Sequence, residues 1–261
     1  MAENPYAAPR THVEDVPAAL PDGDFIPEGR GVPAGRGWGW IADAWGFMGG
    51  QRWTFVGVFL LMMILYIGAN FLPILGPLAV SLFSPVLLGG FVLGCDALRR
   101  GQRFEVGHLF AGFQRHAGKL VALGAISLAF AIVSAAIMIL IVGTSVLPMF
   151  TGGEPNPEEI ASMLLPMLLA LLVIMAASLP LSMAFLFAMP LIVLRDSDVG
   201  PALKTSFFAC LKNILPFLVW SLAMFGLYLL SAFTLFLALL LLFPVAMVSL
   251  YLAYREVFHD I

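Results

Sequence analysis

Charge is what this sequence has least of. Only 11% of its 261 residues are charged, against about a quarter in a soluble domain whose surface must face water. The shortfall excludes a water-soluble globule, because the long uncharged runs need a surface that faces lipid. A mean hydropathy of +0.98 points the same way. Cysteine is scarce too. Cys95 and Cys210 supply neither a disulfide framework nor metal-ligand spacing, and both stand beside basic residues assigned to a reducing cytoplasm, so free thiols are expected. Histidine is confined to His12, His108, His116 and His259, and lysine to Lys119, Lys204 and Lys212. The apolar runs therefore hold no Ser–Lys or Ser–His pair for hydrolysis inside a membrane. No glycine-rich loop follows a strand to cradle phosphate. No enzymatic activity, catalytic residue, metal, cofactor or nucleic-acid partner is expected.

What is present is apolar length. Residues 1–35 are rich in proline, glycine and acids without an apolar period, which predicts a disordered cytoplasmic tail ahead of a membrane domain over 36–261. The tail opens without a basic stretch leading into an apolar one, so no cleaved signal is expected and the first span directs its own insertion. On these grounds the tail is dispensable for insertion. Apolar stretches at 53–75, 77–98 and 120–147 are each long enough for one crossing. The stretch 160–194 reads as one span, kinked or broken near Pro180 or Pro190. Asn156 as cap, Pro157 in the first turn and the acids Glu158 and Glu159 would start it. The stretch 214–254 would be roughly 60 Å as a single helix at ~1.5 Å per residue, so it must fold back, with the turn near Ser231–Thr234. The expected fold is an all-α integral membrane protein with six transmembrane helices.

Charge sets the orientation. The basic residues fall in the tail and its flank, and in alternate connections: Arg99, Arg100, Arg103, Arg115 and Lys119 between spans two and three, Arg195, Lys204 and Lys212 between spans four and five, and Arg255 at the end. The other three connections have none. The positive-inside rule then puts both termini in the cytoplasm, and only an even number of spans fits.

The even spans end alike, in Leu98-Arg99, Leu194-Arg195 and Tyr254-Arg255, each with a proline upstream at Pro85, Pro180 or Pro244. A short amphipathic segment precedes each odd span. Trp38, Ile41, Trp45 and Met48 share a face before the first. Val106, Leu109, Phe110, Phe113 and Ala117 do so in 103–119, and Leu203, Phe207, Cys210 and Leu211 before the fifth. The pattern suggests a unit repeated three times, an interfacial helix followed by a two-span hairpin. Within 103–119 and its flank, Arg99, Arg100, Arg103, Phe110, Phe113, Arg115 and Lys119 are the candidate lipid-interface residues, joining an apolar stripe to basic charge that suits anionic lipid. The bilayer and other membrane proteins are the expected partners.

Asp96 is the one charged residue within the assigned spans, and its spacing to Arg99 and Arg100 predicts intrahelical pairing at the interface. Asn70 is expected to bond a neighbouring helix or lie near the outer interface. His108 and His116 lack a ligand spacing and read as solvated or headgroup-facing. Gly89, Gly90 and Gly94 suggest close helix packing in span two.

Several phrases occur together: Asn4-Pro5-Tyr6-Ala7-Ala8-Pro9, Ala34-Gly35-Arg36-Gly37-Trp38, His108-Leu109-Phe110-Ala111-Gly112-Phe113, Ser206-Phe207-Phe208-Ala209-Cys210 and Tyr254-Arg255-Glu256. In these the chain resembles an uncharacterised family of proteobacterial inner-membrane proteins. The resemblance implies six spans with cytoplasmic ends, and it carries no activity. Two functions follow as expectations: a non-enzymatic accessory, assembly or envelope-maintenance protein, or a passive or facilitated transporter of a small solute. A solid apolar core between the hairpins favours the first, and a polar cavity reaching the midplane favours the second.

Overall fold

Apolar length becomes helix wherever no proline or glycine interrupts it. The computed structural model of the protein describes residues 23–150 and 157–260. A short strand β1 (Asp24–Phe25) leads to helix α1 (Arg36–Met48), which turns through Gly49–Gln51 into α2 (Arg52–Asn70). Helix α3 (Leu75–Arg99) returns, and a 3-10 turn (Val106–Phe110) with the one-turn helix α4 (Ala111–Gln114) leads to α5 (Ala117–Phe150). Helices α6 (Pro157–Leu186) and α7 (Ala188–Arg195) form the return, and α8 (Val199–Lys212) precedes α9 (Ile214–Leu230) and α10 (Leu239–Phe258), with strand β2 (His259–Asp260) last. Among the described residues, six helical stretches are long and apolar enough to cross a membrane. The chain is an all-α, multi-pass membrane protein.

Local chemistry explains the breaks. The fourth stretch parts at Phe187, where Pro190 cannot supply an amide to the carbonyl of Leu186 and its ring crowds that carbonyl. The fifth and sixth are divided by a 3-10 turn at Ser231–Thr234, where the sequence placed the turn. The cap read for Asn156 lies outside the described residues.

Two apolar clusters form one continuous core, with Val92, Leu194 and Trp220 packed against both. The first gathers Phe55, Phe91, Phe104, Met224 and Tyr251 between α2, α3, α9 and α10. The Phe55 and Phe104 rings stack at 4.0 Å. The second gathers Trp40, Leu120, Phe187, Tyr254 and Phe258. The span-two glycines do bring neighbours close, though not chiefly helices. Gly89 meets Leu120 of α5 and Val193 of α7, whereas Gly90 and Gly94 receive the carbonyls of His108 and Leu109 and the ring of Phe104. A Cβ at Gly90 would collide with the Leu109 carbonyl.

The amphipathic segments are placed differently from their predicted stripes. Segment 103–119 is no single interfacial helix, because His116 takes a φ of 60° and the chain is extended at Arg115. Its Leu109 is buried against α3 while Phe110 and Phe113 stay exposed. Helix α8 buries its small residues Ala202, Ser206, Ala209 and Cys210, and Phe208 and Leu211 face outward. In α1, Trp40 is fully buried and Trp38 and Trp45 are exposed. Small residues won the protein-facing side because they let backbones approach, which a hydrophobic stripe does not register.

The disordered-tail expectation fails for its last third. Asp24–Phe25 pairs antiparallel with His259–Asp260, so both ends of the described chain lie on one face, as an even number of crossings requires. The Ile26 amide bonds the Phe258 carbonyl at 2.8 Å and the Arg30 amide that of Val257 at 2.8 Å. Asn213, fully buried, accepts from the Val32 amide at 2.8 Å and donates to the carbonyls of Arg30 and Ala209, each at 2.9 Å. A segment without an apolar period docks here because its backbone amides carry many of the contacts, with only isolated side chains such as Phe25, Arg30 and Val32 added. Residues 1–22 lie outside the described residues. Asn213→Ala would leave the Val32 amide and the Arg30 carbonyl short of a partner, a loss of about 2 kcal/mol for buried groups. A fall in the melting temperature of the detergent-solubilised protein is the expected result, and an unchanged midpoint would show that the strap does not contribute.

Candidate functional site

Polar chemistry in the described chain collects on the face that carries the two ends. Asp96, in the last turn of α3, is buried. Arg99 donates its Nε to Asp96 Oδ1 at 2.9 Å, and Arg100 Nη2 lies 2.6 Å from Oδ2. The predicted pairs at three and four residues both form. A third partner comes from α10, where the Tyr251 hydroxyl donates to Asp96 Oδ1 at 3.2 Å. Arg99 is itself buried, so the group is an interior lock between α3 and α10.

A second cluster joins the start of α5 to the α7–α8 turn. Lys119 Nζ lies 2.9 Å from Asp196 Oδ1 and 3.0 Å from Asp198 Oδ1, and His116 Nδ1 lies 3.2 Å from the same Asp196 oxygen. Asp196 takes the left-handed conformation that ends α7. The hydrogen bond and charge of Lys119, with a smaller contribution from His116, hold the Asp196 carboxyl below its ordinary value. His108 faces no headgroup through its Nδ1, which accepts from the Glu105 amide at 3.0 Å. Burial pushes the Cys210 thiol up to about 12, so it stays protonated near neutral pH, and its sulfur donates to the Met183 carbonyl at 3.3 Å.

The third cluster was not foreseen. Arg36 Nε donates to both oxygens of Glu256, at 2.8 and 2.9 Å, the Trp40 indole donates to Glu256 Oε2 at 2.7 Å, and Arg30 Nε donates to the Glu256 carbonyl at 2.8 Å. These partners are more than two hundred residues apart in sequence. The one available signal was the phrase Tyr254-Arg255-Glu256, whose carboxylate stands at the end of an otherwise apolar run.

The candidate lipid-interface residues are thus divided. Arg99, Arg100 and Lys119 serve internal ion pairs. Arg103, Phe110, Phe113 and Arg115 are exposed. Phe110 and Phe113 line an apolar groove of about 340 Å³ with Leu65, Tyr66, Ala79 and Phe83, and the Phe113 and Phe83 rings lie 5.9 Å apart. A second groove, of about 660 Å³, runs between the strap and α8 and carries Glu28, Lys204, Thr205 and Lys212. Asn70 is exposed at the end of α2. Its Nδ2 donates to the Tyr66 carbonyl of its own helix at 2.7 Å.

The chain belongs to the family described as protein of unknown function (DUF975), which matches residues 48–260. The phrases at 108–113, 206–210 and 254–256 fall inside that match, and those at 4–9 and 34–38 precede it. No curated protein and no solved structure matches the chain.

Two outcomes follow from the clusters. Asp96→Ala leaves the buried Arg99 guanidinium without its carboxylate, a loss of about 3 kcal/mol or more for a buried pair broken on one side. Thermal unfolding in detergent checks it, and a change as small as that of a surface pair would refute the lock. A lowered native Asp196 pKa means its contribution is complete above the unfolded carboxylate value of about 4 and is lost as pH falls through the native value. The stability gap between the native protein and Asp196→Asn should therefore be widest at neutral pH and close in acid.

Proposed function

We infer that this member of the family is a non-enzymatic inner-membrane protein with an accessory, assembly or envelope-maintenance role, its two ends in the cytoplasm. The observation that carries this reading is the filling of the space between the α2–α3 and α9–α10 hairpins. Phe55, Phe91, Phe104, Met224 and Tyr251 occupy it, and the ionisable groups described above are tied to one another at the face bearing the ends. Ion-coupled transport ordinarily needs ionisable groups near the midplane, and a solute pathway needs polar lining that these side chains do not offer. The cytoplasmic assignment rests on the basic residues gathered at that face.

The order of elements also supports a threefold unit, with α1, α4 and α8 each preceding a hairpin and Pro85, Pro180 and Pro244 each inside the returning helix. The exposed Arg103, Phe110, Phe113 and Arg115 of this one segment are the surface we assign to anionic lipid, each basic residue near such a membrane contributing roughly 1 kcal/mol.

Reporter fusions after Gln102, Asp198 and Ile261 should report the cytoplasm, and a fusion after Gly152 the periplasm. Purified protein in liposomes should leave the flux of small neutral and charged solutes at the level of empty vesicles. Saturable uptake of any of them would replace this reading with a transporter.

A further inference from the structure

Helix α8 is pinned by its small residues and presents its opposite side to a groove. Ser206 Oγ accepts from the Phe187 amide at 2.9 Å and donates to the Met183 carbonyl at 2.7 Å, and Ala202 and Ala209 are buried on the same side. The helix therefore cannot roll to hide its other stripe. Pro201, Lys204, Thr205, Phe208 and Lys212 recur at the three- and four-residue spacing of one helix face. They line the groove of about 660 Å³ along about 16 Å of helix. The strap makes the facing wall with Pro27 and Glu28. Gly29 lies close against Ala209, and Lys212 Nζ donates to the carbonyls of Glu28 and Gly29 at 3.1 and 3.2 Å. Both walls are tied together, so the groove is a standing feature of the fold.

The charges of the groove do not cancel. Glu28 and Lys212 answer each other across 3.9 Å, which leaves Lys204 with no ionic partner among the described residues. Gly200 and Pro201 bring in the first turn of α8, the positive end of its dipole. Asp198, just ahead of that turn, is held by Lys119 at 3.0 Å. The lining thus carries an excess of positive charge, with the Thr205 hydroxyl one residue from the Lys204 ammonium. The groove also lies where lipid begins. Helix α8 joins the end of one span at Arg195 to the start of the next at Ile214. Phe208 is 49% exposed, and the next exposed large apolar side chains along the chain are Leu211, Ile214, Leu215 and Leu218, leading into α9. Cationic groups and an apolar surface meet at one place, which is the complement of an anionic phospholipid.

We propose that this groove holds the headgroup of an anionic phospholipid of the phosphatidylglycerol type, from the leaflet on the side of the chain ends. Lys204 and Thr205 bind the phosphate, Lys212 adds charge at the far end, and the acyl chains pass Phe208 along the outer face of α9. A choline headgroup would bring a second cation into a lining that already has one in excess, so the site selects against phosphatidylcholine. It shares no residue with the 103–119 surface. It goes beyond the accessory reading of the function and stands whether or not that reading is correct.

The test uses the full chain with a photo-crosslinking benzophenone amino acid at position 208, in liposomes holding phosphatidylglycerol and phosphatidylcholine in equal amounts. Lipid adducts read by mass spectrometry should favour phosphatidylglycerol several-fold. Lys204→Gln should bring that ratio close to one, Lys204→Arg should keep most of it, and Arg115→Gln should leave it unchanged. Lys204 is exposed, so Lys204→Gln should not move the melting temperature in lipid-free detergent. Inorganic phosphate added to the liposomes should not displace the lipid. Equal adducts of the two lipids, a preference that survives Lys204→Gln, or its removal by free phosphate would each overturn the proposal.

Discussion

The carboxylate of Glu256 takes Arg36 through both oxygens and the Trp40 indole through one, and the carbonyl of the same residue takes Arg30. Charge-assisted bonds of this kind are about twice as strong as neutral ones, and a two-oxygen grip on a guanidinium also fixes orientation. One residue near the end of the chain thereby sets the direction of the N-terminal strap and of α1. Trp40 is held so that its ring enters the second cluster, 5.2 Å from Phe217, and α1 lies across α9 and α10. Gly37 permits this, because a Cβ there would run into the Pro216 carbonyl. The strap, α1 and the last turn of α10 form one mechanical unit, although the sequence separates them by almost the whole chain.

The same economy of polar groups operates elsewhere on that face. A bundle surrounded by hydrocarbon cannot leave its charges to water, so each must be answered from within or carried to the surface. Asp96 is answered by its own helix and by α10. Asp196 and Asp198 answer Lys119 and tie the α7–α8 turn to the start of α5. The first tie joins the α2–α3 and α9–α10 hairpins and the second closes the base of the α5–α6 hairpin, and both therefore do what helix association in lipid cannot draw from the hydrophobic effect: they choose which helix faces which. The glycines of α3 supply the complementary part. By accepting the carbonyls of His108 and Leu109 and the ring of Phe104 at contact distance, they let an extended and 3-10 segment lie against a helix.

How much of this was legible in the sequence follows from the range of each interaction. The six apolar stretches were, because hydropathy over twenty residues is a property of one segment alone. The fold-back at Ser231–Thr234 was, because length forced a turn and these were the polar residues within reach. Asp96 with Arg99 and Arg100 was, because three- and four-residue spacing is a helix property, yet the Tyr251 hydroxyl and the burial of the pair were not. The strap was misjudged because docking through backbone amides leaves no apolar period. The 103–119 segment is broken at Arg115 and His116 instead of forming one helix, and the stripe of α8 was misread because a periodicity names a face without saying whether protein or lipid covers it. Ala202, Ser206 and Ala209 turned to the protein, and Phe208 turned away.

The asymmetry between the two sides of the molecule limits how anything can recognise it. On the side of the chain ends there are guanidinium, carboxylate, amide and indole groups in fixed positions, the groove between the strap and α8, and arginines beside aromatic rings. A partner that distinguishes this protein by hydrogen bonds or charge must approach there. Across the rest of the described surface, α2, α5, α6 and α9 present leucine, isoleucine, phenylalanine and methionine to their surroundings. Such a surface offers shape and thickness but no directional chemistry, so selection by lipid or by another span depends on fit and packing alone. Because α3 and α10 both begin on the apolar side and end within the polar clusters, a displacement of either helix along its axis would have to break the bonds of Asp96 or Glu256. The interlocked face thus resists changes in depth forced by the surrounding bilayer, and it is at the chain-end surface that a partner would register such a change.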